Sequence, residues 1–299
     1  MARSVVSKQV WLVDTIYRAG SLTFEEIDSK WRDHEMTEKG LSKRTFHKWL
    51  NAIKTTFGLR IVCNNVGYRY SIENADEVKS RSLRGWLLDT VSVSNLFFDN
   101  MQLKDRILLE EIPSGKETLA EVLAAMKTNS VVTITYHSYW VDESATFDIH
   151  PYCVKLFKQR WYVVAYCPNY DSIRIYALDR INTIEKHATD KFSMPRKFDA
   201  AEYFMDYYGV IVGTESEKAI VKLKVKAQQA NYLRSLRLHW SQEELERNEE
   251  YSIFKLSLYP EFDFQQEILS MGSDVEVLAP DWLRDEIAAK VKGMYDNYK

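Results

Sequence analysis

The sequence has little cysteine, glycine and proline. Its three cysteines, Cys63, Cys153 and Cys167, form no CxxC pair and are odd in number, which argues against a disulfide framework and against a cysteine-rich zinc site. With 10 glycines and 6 prolines in 299 residues, the chain has no long flexible linker or low-complexity tract. We therefore expect a protein of a reducing compartment whose domains are joined by structured segments.

The sequence also lacks any uninterrupted run of about 18 apolar residues, the length that a membrane-spanning helix requires. Arg3, Lys8 and Asp14 interrupt the N-terminal segment where a signal peptide would need an apolar core. These two observations predict a cytoplasmic protein with no membrane partner.

Motifs of the common catalytic and metal sites are absent as well. The six histidines are scattered without HxxxH or HExxH spacing, and the chain has no phosphate-binding glycine loop and no GxSxG motif. Cys153 and Cys167 fall in predicted strands, where a buried, unreactive thiol is the expected state. We therefore expect no enzyme, no metal and no cofactor.

Charge of one sign does not dominate, but it is unevenly divided. Residues 1–72 carry 12 Lys/Arg and 7 Asp/Glu, a net charge of +5, whereas the rest carries 28 and 36, a net charge of −8. This basic N-terminal part is compatible with a polyanionic partner, which the overall charge of −3 conceals.

The basic part contains patterns for three helices. Apolar residues in segment 4–19 recur every three or four positions, and Gly20 can end this first helix. Thr23 and Glu26 have the spacing of a capping box, which predicts the start of a second helix.

The third helix, within 41–53, has a strongly divided surface. Its predicted inward residues are Phe46, Trp49, Leu50 and Ile53. Its predicted outward residues are Ser42, Lys43, Arg44, Thr45, His47, Lys48 and Asn51. Cations, hydroxyls and an amide on one face are suited to phosphates and base edges in the major groove, so we predict a DNA recognition helix.

A hairpin is predicted directly after this helix. Segments 59–62 and 68–72 flank the turn residues 64–67, and Arg69 on the second strand is included among the predicted DNA contacts. Three helices followed by a hairpin is the order of a winged helix. The alternative is that Lys43, Arg44 and Lys48 form the solvated face of an ordinary helix.

The middle of the chain predicts several short strands. The connector 74–127 has mainly helical patterns, with Trp86 and Leu87 on an apolar stripe that is expected to pack either in an internal core or in a dimer interface. Strands then follow near 131–136, 147–154, 161–166 and 173–176, with tight turns and no helix between them. This order is typical of a small antiparallel barrel.

In this region the sequence resembles the WYL-domain family of bacterial regulators, which is named after a Trp-Tyr-Leu triplet. The triplet is Trp161-Tyr162-Val163 here, and it follows Arg160 as in the family. The strand ending at Tyr136, the segment 150–152 and the segment 174–181 match the other family motifs in order and spacing. The resemblance extends to a C-terminal extension called WCX.

The resemblance implies an SH3/Sm-like barrel that binds a negatively charged ligand, usually single-stranded nucleic acid or a nucleotide. The residues that it assigns to this ligand are Tyr136, His150, Tyr162, Arg174 and Arg180. Period-two alternation independently puts Arg174 and Tyr176 on one face of their strand, and we expect Tyr162 to converge with them. Trp161, on the opposite parity from Tyr162, is expected in the core.

Two positions depart from the family pattern. Val163 replaces the Leu of the triplet, and Ala177 stands where many members have a further Arg, so this pocket is expected to be less cationic. Structural alternatives also remain: Arg180 can pair with Asp179, and His150 beside Pro151 can be a turn residue.

The complete prediction is an α+β multidomain chain. It comprises a winged helix-turn-helix (1–73), a helical connector (74–127), a WYL barrel (128–195) and a small α+β WCX-like module (196–299). We predict a homodimeric transcription regulator that binds an operator duplex and senses a nucleic-acid-like effector. The alternative function is an RNA-binding or single-stranded nucleic-acid-binding accessory factor that is not a transcription factor.

Overall fold

The computed structural model describes residues 5–35, 40–73, 75–79, 83–108, 115–139, 142–213 and 217–299. The chain divides into two compact units, Met1–Glu110 and Glu111–Lys299. Both units combine helices with antiparallel sheets, so the protein is an α+β multidomain chain. In the described parts of the chain, no helix is long and apolar enough to cross a lipid bilayer.

The first unit contains helices and one small sheet. Its elements are α1 (Val5–Ala19), β1 (Leu22–Thr23), α2 (Phe24–Glu35), α3 (Lys43–Phe57), β2 (Ile61–Asn64), β3 (Arg69–Ile72) and α4 (Leu83–Asp99). β2 and β3 form an antiparallel hairpin, and β1 pairs with the outer side of β3. We call residues 5–79 the head.

Local capping explains where the helices of the head begin and end. The predicted capping box is confirmed: the Thr23 N–H donates to Glu26 Oε2 at 2.8 Å, and the Glu26 N–H donates to Thr23 Oγ1 at 3.2 Å. The Ser42 side chain accepts from the Thr45 N–H at the start of α3. Gly58 ends α3 with a φ of 63°, a conformation that glycine adopts without strain.

The helix α4 packs differently from its predicted pattern. Trp86 and Leu87 are 43% and 39% exposed, so the internal-core alternative is wrong for this stripe, and the dimer-interface alternative stays a prediction. Leu88 and Asn95 are buried instead, and Asn95 Nδ2 donates to the Ser7 carbonyl of α1 at 3.0 Å. A buried polar residue therefore determines which face of α4 contacts α1.

The second unit begins with a helix and a five-stranded antiparallel sheet. Its elements are α5 (Lys116–Lys127), β4 (Ser130–Tyr136), β5 (Ala145–Phe157), β6 (Arg160–Cys167), β7 (Ser172–Ala177) and β8 (Ile181–Lys191). The strand order is β7-β6-β5-β4-β8. Val122 and Ala125 of α5 are fully buried against the sheet.

This sheet is strongly curved. The rings of Tyr136 on β4 and Tyr176 on β7 are 5.1 Å apart, although β5 and β6 lie between their strands. Flat neighbouring strands are about 4.8 Å apart, so rings three strands apart meet only if the sheet bends. Register shifts between Pro151 and Cys153 and within the β4–β8 pair supply irregularities that allow such bending.

The C-terminal module forms a second antiparallel sheet with helices. A short helix, α6 (Ala200–Phe204), leads to it. The module comprises β9 (Ala219–Lys226), α7 (Ala227–Ser235), β10 (Glu243–Arg247), β11 (Tyr251–Leu258), α8 (Phe262–Ser270), β12 (Val275–Ala279) and α9 (Asp281–Asp296), with strand order β10-β11-β9-β12. The residues of β9 alternate between the interior and the surface, since Val221, Leu223 and Val225 are fully buried.

Candidate nucleic-acid interface and ligand site

The two faces of α3 divide as the sequence predicts. Phe46, Trp49 and Ile53 are buried in the core of the head, and Leu50 packs against it. On the other side, Thr45 is half-buried, and the exposed residues are Ser42, Lys43, Arg44, His47, Lys48 and Asn51. The structure therefore presents the predicted recognition residues to solvent on one continuous helical face.

The cationic side chains of α3 differ in their ion pairing from the arginines elsewhere in the head. Arg18, Arg32 and Arg60 each form an ion pair with an aspartate or glutamate. In contrast, no carboxylate of the described residues lies within 4 Å of Lys43, Arg44, Lys48 or Lys54 along α3. An unneutralised cationic face retains its full attraction for a polyanion.

Asp28 of α2 holds the start of α3 in place. Its Oδ1 accepts a hydrogen bond from the Leu41 N–H, and its Oδ2 accepts from Arg32 Nη2 at 2.7 Å. Gly40 leaves room for this contact, because a Cβ there would lie 2.6 Å from Asp28 Oδ1. Burial acts to raise the pKa of Asp28, but hydrogen bonds from Arg32 and Leu41 outweigh it and leave the pKa below its ordinary value.

We expect Asp28→Ala to destabilise the head by about 1–3 kcal/mol, because the Leu41 N–H loses its acceptor. Asp33→Ala, an exposed position on the same helix, is the matched control and should change the melting temperature little. The contribution of Asp28 is fully present above its ordinary pKa of 3.8 and is lost as pH falls through the lower folded value. Circular dichroism melts between pH 2 and 7 measure this, and equal melting of both variants contradicts it.

Arg69 does not support its predicted contact with DNA. Its Nε donates to Ser21 Oγ at 3.1 Å, its Nη2 donates to the Ser21 carbonyl at 2.9 Å, and the same nitrogen pairs with Glu26 at 3.1 Å. These bonds tie β3 to the start of α2. The guanidinium therefore serves the internal structure of the head.

The hairpin turn presents two residues that the sequence reasoning did not select. Val66 and Tyr68 are 82% and 74% exposed, and Tyr68 has a φ of 48° in the turn between β2 and β3. Large side chains at an exposed hairpin tip are suited to a groove of nucleic acid. The sequence could have indicated these two residues, because large apolar side chains are unusual in a hairpin turn.

In the five-stranded sheet, two predicted ligand residues each stack on a tyrosine. The Arg174 guanidinium lies 3.9 Å from the centre of the Tyr170 ring, and that of Arg180 lies 4.0 Å from the Tyr139 ring. Tyr139 and Tyr170 are 66% and 53% exposed. Tyr139 follows β4 and Tyr170 follows β6, so the two arginines stack on tyrosines from different parts of the chain.

A line of rings connects these two pairs. Tyr170 is 6.4 Å from Phe147, Phe147 is 5.5 Å from Tyr176, and Tyr176 is 5.1 Å from Tyr136. Burial raises the pKa of the Tyr136 hydroxyl, while the neighbouring Arg180 acts to lower it. Arg174 is close enough to act on Tyr176 and Arg180 on Tyr136, so the contacting rings of these two tyrosines join the two arginine–tyrosine pairs.

Tyr162 does not converge with Arg174 and Tyr176. Residues paired directly across antiparallel strands project to the same face of a sheet. Tyr176 pairs with Val163, whereas Tyr162 pairs with Ala177 and with Lys155. The expected convergence is therefore wrong, and the assignment of Tyr162 as a ligand contact stays a prediction. Trp161, on the opposite parity, packs against the core as expected.

His150 is part of β5 and packs against aromatic rings. Its ring lies parallel to that of Phe192 with centres 5.0 Å apart, and it contacts Tyr166 at 5.4 Å. Burial lowers the pKa of His150, although Asp148 acts in the opposite direction. An uncharged imidazole at pH 7 can stack or hydrogen-bond with a ligand, but it does not attract an anion by charge.

Unpaired polar atoms cluster next to Arg180. Asp179 pairs with Arg160 at 3.2 Å, so the alternative in which Asp179 neutralises Arg180 is not found. Within the described residues, the buried side-chain atoms without a hydrogen-bond partner are Tyr176 Oη, Asp179 Oδ1 and Arg180 Nε. Buried polar groups are normally paired, so these three atoms are exceptions in the interior of this sheet.

One hydrogen-bonded group on the sheet has the spacing of a catalytic triad. Thr133 Oγ1 lies 2.7 Å from His187 Nε2, and His187 Nδ1 lies 2.8 Å from Asp190 Oδ2. However, the Thr133 hydroxyl donates to Asp148 at 2.5 Å, so its oxygen accepts from His187. Because the Thr133 hydroxyl proton is committed to Asp148, it is not offered to His187, and the group ties β4, β5 and β8 together.

Lys155 joins the sheet to the segment that precedes the C-terminal module. Its Nζ lies 3.6 Å from the centre of the Phe204 ring and donates to the Gly209 carbonyl. Burial lowers its pKa from 10.5 to about 8, against the attraction of Asp263 and Cys153. Burial also raises the pKa of the Cys153 thiol to about 11, as expected for an unreactive cysteine.

We expect the second unit to become more stable as pH rises from about 8 to 9, because above pH 9 the raised pKa of the Cys153 thiol acts in the opposite direction. In this window the unfolded chain binds a proton at Lys155 that the folded chain does not, and stability then increases with pH. Lys155→Met should remove this rise, whereas Lys197→Met at an exposed position should retain it. Urea denaturation at closely spaced pH values provides the measurement, and an unchanged rise in Lys155→Met contradicts the assignment.

Comparison with protein families gives two matches. Residues 117–186 match the WYL domain, and residues 217–295 match the WCX domain. The first range contains nearly all of α5 and most of the five-stranded sheet β4–β8, which we call the WYL sheet. The second range covers nearly all of the C-terminal module. No curated protein sequence gives a significant match.

Two solved structures show the extent of the similarity. Proteasome accessory factor B/C (PafBC) of Arthrobacter aurescens has 16% identity and a TM-score of 0.38, with 97% of this chain and 47% of that chain covered. The chain thus spans about half the length of that structure. A CRISPR Cas-related protein has 12% identity and a TM-score of 0.40, with 100% and 87% covered. The two domain matches show that the chain contains a WYL domain at residues 117–186, followed by a WCX domain at residues 217–295.

Proposed function

We propose that this protein is a DNA-binding transcription regulator whose head is a winged helix-turn-helix. The observation that carries the proposal is the exposed face of α3, where Lys43, Arg44 and Lys48 have no carboxylate partner in the described chain. Asn51 on the same face can read an adenine, and the cations can bind phosphates or guanine. Tyr68 at the hairpin tip extends this surface.

The WYL domain is proposed to sense a negatively charged ligand, nucleic acid or a nucleotide. Tyr139 and Tyr170 are exposed rings, each with a guanidinium on it, and such pairs can stack a base and contact a phosphate. A line of contacting rings joins the two pairs, so a single strand whose bases stack can engage both of them.

A binding function is also favoured over catalysis. The Thr133 hydroxyl is committed to Asp148, which removes the group with triad spacing as a nucleophile. We further propose a cytoplasmic homodimer, because two heads related by a two-fold axis match a palindromic operator. The second candidate function is an accessory factor that binds RNA or single strands through the WYL sheet, as the exposed tyrosine–arginine pairs would allow.

Selection of bound duplexes from random DNA with the full chain, followed by fluorescence anisotropy, tests the proposal. We expect Arg44→Ala to weaken binding to the selected duplex by about tenfold, since a charge-assisted hydrogen bond contributes about 1.5–3 kcal/mol. Arg174→Ala should leave duplex binding without effector unchanged and weaken binding of single-stranded DNA. Tight binding of single strands with no duplex selected, and no effect of Arg44→Ala, would establish the accessory-factor function instead.

A further inference from the structure

The first unit contains a cavity that the proposed function does not use. Its volume is about 500 Å³, within the range of small-molecule sites, and it lies between α1, α2 and α4. The lining residues that carry the following argument are Trp11, Arg18, Lys30, His34 and Asn95. It is separate from both the α3 face and the WYL sheet.

Asn95 supplies a fixed hydrogen-bond acceptor in the cavity wall. It is only 6% exposed, and its Nδ2 donates to the Ser7 carbonyl at 3.0 Å. Because a carbonyl can only accept, this bond fixes the orientation of the amide. Asn95 Oδ1 then has no hydrogen-bond partner among the described residues, and a ligand N–H or O–H can satisfy it.

Aromatic and cationic side chains complete the lining. The Trp11 and His34 rings are nearly parallel with centres 5.2 Å apart. Arg18 is held by Asp14 through contacts of 3.1 and 2.8 Å, whereas Lys30 has no carboxylate within 4 Å in the described chain. The cavity thus combines an acceptor, a flat apolar wall and an unneutralised ammonium group.

We propose that this cavity binds a mononucleotide, with the base between Trp11 and Asn95 and the phosphate at Lys30. A nucleobase offers a planar ring and N–H donors, and a phosphate offers the charge that Lys30 attracts. A cavity of about 500 Å³ has room for one such molecule.

A ligand here is connected to the recognition helix through packed indoles. Trp11 lies 4.9 Å from Trp31, and Trp31 lies 5.1 Å from Trp49 of α3, both in edge-to-face contacts. A nucleotide that shifts Trp11 therefore shifts the packing under the exposed face of α3. This coupling rests on the proposed DNA-binding function, and by linkage the nucleotide and the duplex must change each other's affinity equally.

Calorimetric titration of the full chain with adenosine monophosphate tests the site. The Arg174→Ala/Arg180→Ala background removes binding to the WYL sheet, so the remaining heat reports the cavity. We expect Lys30→Gln and Asn95→Ala each to weaken nucleotide binding by about tenfold, which corresponds to about 1.4 kcal/mol. Lys292→Gln, an exposed position on α9, removes the same charge and should bind as the background does.

The outcomes separate this inference from the proposed function. No heat up to about 1 mM nucleotide, or equal binding of inorganic phosphate or adenosine alone, overturns the mononucleotide site. If the nucleotide binds but changes the affinity for the selected duplex by less than about fivefold, the coupling is overturned. If the wild-type chain binds no duplex, the proposed function fails, while the calorimetric result still decides the cavity.

Discussion

Replacement of Lys43, Arg44 and Lys48 together by alanine is expected to weaken duplex binding by about a hundredfold, at about 1 kcal/mol for each lost contact. The three side chains lie on the exposed face of α3 and have no carboxylate partner in the described residues. Alanine is the best helix former, and the Ser42 cap remains, so α3 should persist. The loss would therefore report lost phosphate contacts.

The salt dependence of binding distinguishes this explanation from unfolding. Each phosphate neutralised by a cation contributes about 0.9 to the slope of log K against log salt, so three lost contacts reduce the slope by about 2.7. Lys116, Lys197 and Lys292 are exposed outside the head, and their joint replacement by alanine removes the same charge. We expect this control to retain both affinity and slope. An equal effect of both triple variants would show that α3 is an ordinary solvated helix.

Asn51→Ala extends the same experiment to base recognition. The side chain carries no charge, so its loss should leave the salt slope unchanged. An amide that reads an adenine contributes about 1–3 kcal/mol of discrimination between bases. The variant should therefore lose affinity for the selected duplex but not for unrelated DNA, and an equal loss on both contradicts base reading by Asn51.

The parts of the fold that depend on local sequence could be predicted. The capping box of Thr23 and Glu26 and the buried and exposed faces of α3 follow from spacing along one segment. The strand β10 was missed because all five of its residues are exposed, so it has no alternating pattern. Edge strands of this kind form because β11 supplies the hydrogen-bond partners.

Contacts between distant segments could not be predicted. Tyr162 and Tyr176 are aromatic residues of neighbouring strands, but the register of β6 against β7 puts them on opposite faces. Arg69 resembles a wing contact in sequence, and only the structure shows Ser21 within hydrogen-bond distance, 48 positions earlier in the chain. Arg174 and Arg180 stack on Tyr170 and Tyr139, which lie in turns. The sequence pattern of a turn predicts that a side chain is exposed, but not which residue it contacts.

Gly209→Ala is expected to destabilise the second unit by about 3 kcal/mol, at the upper end of overpacking effects. A Cβ at Gly209 would lie 2.0 Å from Asp263 Oδ2 and 2.8 Å from Phe157 Cζ. Asp263 cannot withdraw without loss, because its Oδ2 accepts the N–H groups of Val210 and Ile211 at 2.7 and 3.0 Å. Phe157 belongs to β5 and is equally constrained.

The same substitution tests whether this junction connects the WYL sheet to the C-terminal module. Lys155 donates to the Gly209 carbonyl, so a displaced backbone should also release the buried ammonium and abolish the stability rise between about pH 8 and 9. Gly293→Ala on α9 has open space around its Cβ and should be neutral or slightly stabilising, because alanine favours a helix over glycine. Differential scanning calorimetry should show a loss of about 6–12 °C for Gly209→Ala in the transition of the second unit. If Gly209→Ala melts at the same temperature as Gly293→Ala, the segment around Gly209 moves aside for the new methyl group. Lys155 would then not connect the WYL sheet rigidly to the C-terminal module.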